Sequence, residues 1–99
     1  MIVNNLPDIT GDGAAHPLVT DSRKAKFLVA VADPANGAPI RMGGVATASN
    51  VGIPIAPGAA LTFPTITDAL EVYPMAKIYY FAASGDKLYV EWVVDGSNV

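Results

Sequence analysis

Cysteine is absent from this 99-residue chain. That excludes a disulfide framework, a thiolate metal site and a cysteine nucleophile. Histidine occurs once, at His16. Charge is sparse: only 15% of residues are charged, and nine acids against six bases give a formal charge of −3. The bases gather only at Arg23, Lys24 and Lys26. Phosphate-driven binding needs a more concentrated positive field, so no nucleic-acid partner is expected. The longest uncharged run, residues 42–67, is broken by glycines and prolines and is no transmembrane helix. The opening MIVNNLPDITGDG lacks the positive region and apolar run of a signal peptide. The expectation is a soluble chain, made without secretion and with no membrane partner.

What remains is apolar. A hydrophobic fraction of 52% opposes disorder, which needs the reverse balance. The length fits one domain that buries roughly 60–65% of its unfolded surface. So apolar a composition in so small a body leaves apolar surface uncovered, which points to an oligomer or a docking face.

Residues 1–15, rich in Asn, Asp and Gly, read as an arm ordered only if something holds it. HPLVTD, from His16, reads as a short edge strand. KAKFLVAVA, residues 24–32, is apolar on both faces in its second half and predicts a central strand covered on both sides. DPANG, residues 33–37, has turn chemistry, and APIRMGG follows, so residues 24–44 predict a hairpin. Residues 45–52 read as a loop of small side chains. GIPIAPGAALTFP, residues 52–64, holds three prolines and no charge. Proline fixes φ and cannot donate to a strand ladder, and Pro57-Gly58 suits a type II turn. This stretch reads as a stiff apolar corner that passes between sheets or sits against a neighbour, with a strand at 59–63. TITDALEVY, residues 65–73, carries one helical turn, with Asp68 and Glu71 at capping-box spacing. AKIYYFAA and KLYVEWVV, joined by Ser84-Gly85-Asp86, predict a second hairpin. Alternation places Ile78, Tyr80, Leu88, Val90 and Trp92 in the core. The fold expected is all-β: a small antiparallel β-sandwich or barrel of about six short strands over residues 16–95, with a flexible arm at 1–15 and a loose tail at 96–99.

Chemistry is thin. His16 beside Pro17 reads as a surface-loop residue, and a Ser22–His16–Asp21 triad lacks a nucleophile elbow. DITGDG offers Asp8, Thr10 and Asp12 in calcium-loop spacing with Gly13 at the turn, but Val19 stands where a bidentate Glu is needed. SGDK and Gly43-Gly44 are turns rather than phosphate cradles, since neither opens a long helix. No catalytic, cofactor or metal site is expected, and the chain reads as a non-enzyme. Tyr73, Tyr79, Tyr80, Tyr89 and Trp92 permit a second function, stacking on sugars as a lectin does.

Residues 41–94 resemble small virion proteins of tailed bacteriophages. The shared elements are SNVGIPIAPGAALTF, KIYYFAASGDK and LYVEWVV. The resemblance implies a capsid decoration (cement) protein, a homotrimer on the virion surface whose partner is the major capsid protein. The alternative it leaves is a receptor- or glycan-binding module of a phage fibre or tail. Ile53, Pro54, Ile55, Pro57 and Leu61 are expected to shape the assembly surface, with the arm ordering on contact.

Overall fold

The structure is a computed structural model that describes residues 3–63 and 73–93, Tyr73 by its backbone alone. The strands, in chain order, are β1 (Val3–Asn5), β2 (Ile9–Thr10), β3 (Ala15–Pro17), β4 (Lys24–Ala25), β5 (Phe27–Ala32), β6 (Ile40–Gly43), β7 (Ile53–Ile55), β8 (Ala60–Phe63), β9 (Tyr73–Pro74), β10 (Tyr79–Phe81) and β11 (Lys87–Val93). One 3-10 turn spans Met75–Lys77. The chain is all-β, as expected. One sheet has the order β1-β11-β5-β8, with β2 also on β11, and the second has the order β3-β10-β6-β7. A short β4-β9 ribbon completes the set. All pairings are antiparallel.

The core follows from alternation. On β5, Leu28, Ala30 and Ala32 are buried, and on β11 Leu88, Val90 and Trp92. They meet Ile40, Met42, Ile55 and Tyr80 of the second sheet. All five residues expected in the core are there. The second face of β5 differs from expectation. The strand is central, between β11 and β8. Its outer side, however, is not covered: Phe27 is 47% exposed, and Val29 and Val31 are half-buried.

Neither expected hairpin forms. β5 and β6 lie in different sheets, and so do β10 and β11. The turns explain why. A two-residue Asn36-Gly37 hairpin loop needs positive φ at both residues, and neither has it. Instead Asn36 N–H donates to Asp33 O, closing a turn around Pro34 and Ala35. The Asn36 side chain then pairs with the Lys87 backbone in both directions, at 2.8 and 2.9 Å. Asp86 N–H donates to Ala83 O around Gly85, which has φ 87°. Unprimed turns of these kinds splay strands rather than match their twist, so the chain crosses from one sheet to the other. Pro57-Gly58 does the same, as the sequence predicts. Ala59 N–H donates to Ala56 O, Gly58 has φ 83°, and β7 and β8 lie in opposite sheets.

The segment expected to be a flexible arm is, over its described residues, held in both sheets. β1 and β2 pair with β11, and β3 pairs with β10. Backbone pairing satisfies its polar groups, and Leu6 is buried. Pro7 leaves its mark here. From Asn5 to Ile9 the edge advances four residues, while β11 advances three, from Glu91 to Leu88. Proline has no N–H for the ladder, so one extra residue is accommodated as a β-bulge. The helical turn expected at 65–73 and the tail at 96–99 lie outside the described residues, apart from the Tyr73 backbone, which is strand.

Candidate functional site

The residues singled out for catalysis do not converge. His16 is in β3, half-buried, rather than in a loop, because its backbone pairs opposite Tyr80. Its Nε2 lies 2.8 and 3.0 Å from the two Asp12 carboxylate oxygens. Asp21 instead accepts both contacts from Arg23 Nε, at 2.9 and 3.0 Å. His16 and Asp21 are therefore committed elsewhere, and no triad with Ser22 is assembled. Asp12 is held below the ordinary carboxylate value, chiefly by His16 and then by the Ala14 N–H. Thr10 of the calcium-like DITGDG run is part of β2. Among the described residues no three of His, Cys, Asp and Glu gather as metal ligands. No helix among the described residues is long and apolar enough to cross a membrane.

Among the described residues, the aromatic side chains singled out for stacking share no platform; the Tyr73 side chain lies outside them. Trp92 and Tyr80 are in the core. Tyr79 and Tyr89 are half-buried and belong to different sheets. The Tyr89 hydroxyl donates to Asp33. That bond, with the Ala35 N–H, holds the Asp33 carboxyl below its ordinary value, and it raises the Tyr89 phenol. A depressed carboxyl favours the fold above its unfolded value of 3.8 and ceases to as pH falls through the lower folded value. A raised phenol favours the fold below its unfolded value of 10.0 and ceases to as pH rises through the folded value. Tyr89→Phe is therefore expected to flatten both the acid and the alkaline limb of a Tm-against-pH curve. Two unchanged limbs would show that the bond does not stabilise the fold.

Two surfaces remain. The first is the proline corner, and the structure divides its five expected residues. Ile53 is 46% exposed, and Pro54 and Pro57 are exposed. Pro54 sits on edge strand β7 opposite Arg41, a position where a missing donor is harmless. Ile55 is only 1% exposed and lies opposite Ile40 in the core. Leu61 is half-buried against that core. Ile55 and Leu61 therefore anchor the corner and do not present a docking surface. The alternation of β7 and β8 turns them inward.

The exposed part of the corner continues into residues that the sequence reading passed over. Val45 and Val51, in the loop between β6 and β7, are 77% and 47% exposed. The loop holding them is tied down. Buried Thr47 donates from its backbone N–H and its hydroxyl to Gly44 O, at 3.0 and 2.6 Å. Ala48 and Val51 exchange backbone bonds. Arg41 Nη1 donates to Gly52 O, and Gly52 has φ 119°. Two valines in a run of small residues were the available signal.

The second surface is the outer face of the five-stranded sheet. Val3, Val93 and Phe27 lie abreast across β1, β11 and β5. Asn5, Glu91 and Val29 form the next row. Beside them an open groove of about 250 Å³ lies against the bulge. Val29 and Val31 contribute apolar surface to it, and Asp8 and Glu91 bring carboxylates.

Comparison with known proteins finds no matching family model, no similar curated protein and no similar solved structure.

Proposed function

We propose that this chain is a non-catalytic docking subunit, a capsid decoration protein of a tailed bacteriophage that seats on the major capsid protein at the virion surface and self-associates as a trimer. The observation that carries the docking reading is the distribution of exposed large hydrophobic residues. Among the described residues, three of five, Val45, Val51 and Ile53, fall within residues 45–53. They are held on an ordered loop and a proline-bearing edge strand. A pre-ordered apolar rim loses little chain entropy on binding, which suits a surface that must grip a partner. Small interfaces of this kind become effective when many copies act together on one particle. The phage assignment rests on the resemblance over residues 41–94. The fibre-tip alternative is the weaker reading, because among the described residues the aromatic side chains it needs are buried or separated.

The test is co-sedimentation with undecorated capsids, together with solution mass by light scattering. Ile53→Asp places a charge on the rim and leaves the core untouched. It is expected to weaken capsid binding by about tenfold or more while the Tm stays close to wild type. Absence of capsid binding by the wild-type protein, combined with a strictly monomeric mass, would remove the proposal.

A further inference from the structure

We propose that the groove beside the β-bulge receives a lysine or arginine side chain from the protein on which this chain docks. The alkyl stem would lie against Val29 and Val31, and the cationic head would sit between Asp8 and Glu91. This rests on the docking reading and adds the chemistry of one contact. The groove is on the outer face of the five-stranded sheet, and the valine-bearing rim is on the β6–β7 loop and β7 of the other sheet.

Size is the first argument. About 250 Å³ falls below the ~300–1,000 Å³ usual for whole small-molecule ligands, so one long side chain is a better match. Polarity is the second. Val29 and Val31 give the groove aliphatic surface, Asn5 and Tyr89 also line it, and the carboxylates of Asp8 and Glu91 have no hydrogen-bond or ion-pair partner among the described residues. The hydroxyl of Tyr89, which also lines the groove, is already committed to Asp33. Lysine and arginine combine an apolar stem with a charged head and so satisfy both parts of the groove. A divalent cation would ask for about six oxygen ligands. Construction is the third argument. Bulges re-aim side chains, and the extra residue forced by Pro7 lies within the turn of chain that brings Asp8 to the groove.

The probe is the peptide acetyl-Val-Lys-Val-amide, titrated into ¹⁵N-labelled protein. Its norleucine analogue is the neutral control, and magnesium chloride is the metal control. The expected result is that amide resonances of Val31, Tyr89 and Glu91 move with the lysine peptide and stay in place with both controls. The Asp8→Asn, Glu91→Gln double variant should fold normally and bind the peptide about tenfold more weakly. Equal shifts with norleucine, shifts with magnesium, or undiminished binding by the double variant would each overturn the proposal. The same variant added to undecorated capsids separates the two readings. Wild-type-like capsid binding by the variant would remove the groove contact and leave docking intact. Failure of the wild-type protein to bind capsids would remove docking itself.

Discussion

Gly11→Ala is expected to destabilise this domain by about 3 kcal/mol, at the upper end of overpacking substitutions. A Cβ at this position would stand 2.4 Å from Ala83 O and 2.6 Å from both Ala82 O and Ala82 Cβ. Two of the three obstacles are backbone atoms, so no side-chain rotation relieves the clash. The segment cannot back away without cost either. Gly11 N–H donates to Asp86 O at 2.7 Å, and Gly85 N–H donates to Gly11 O at 3.1 Å. These bonds hold the amino-terminal strands against the turn that carries the chain from β10 to β11. In a domain of this size the penalty corresponds to a Tm fall of roughly 12–24 °C in a calorimetric scan. Gly37→Ala is the matched control. Its Cβ would meet nothing within 4 Å and its φ is not positive, so its Tm should hardly move. Equal behaviour of the two variants would mean that residues 3–17 are not held as described.

Ile55→Ala carries the second large effect. Ile55 is 1% exposed among the apolar side chains of the second sheet, and truncating such a residue costs about 2–5 kcal/mol through lost burial and a residual cavity. The Tm should fall by at least roughly 8 °C. Any protein still folded at low temperature should bind capsids as the wild type does, because Ile55 presents nothing outward. Ile53→Asp should show the reverse, with stability kept and docking lost. Two residues apart on one three-residue strand, these isoleucines divide the fold from the proposed function. Loss of docking by Ile55→Ala at a temperature where it remains folded would contradict that division.

The β character was legible because alternation is a local signal. Leu88, Val90 and Trp92 stand two apart, and a pleated strand puts them on one face whatever the rest of the chain does. The Pro57-Gly58 corner was legible for a similar reason, since proline presets one turn dihedral and glycine permits the other. Strand partners were not legible. Asn36-Gly37 and Ser84-Gly85-Asp86 have the composition of hairpin turns, and composition alone does not decide whether a turn is primed or unprimed. That choice is made by contacts distant in sequence, such as the Asn36 side chain on the Lys87 backbone. The pairing of the amino-terminal segment was not legible, because its strands are too short to show a period. They are strands by virtue of β10 and β11, which supply their partners. At the proposed docking surface, prolines mark the corner but not which of its side chains point outward. Ile55 and Leu61 turn inward, and Val45 and Val51 emerge from a loop that has no periodicity to read.

Amide hydrogen–deuterium exchange, measured on the free protein and on the protein bound to undecorated capsids, tests the central claim most directly. The account expects binding to slow exchange at residues 45–54, on the rim formed by the β6–β7 loop and edge strand β7. Core amides of β5 and β11 should be slow in both states. Unchanged exchange over 45–54 in a protein that is demonstrably capsid-bound would contradict it.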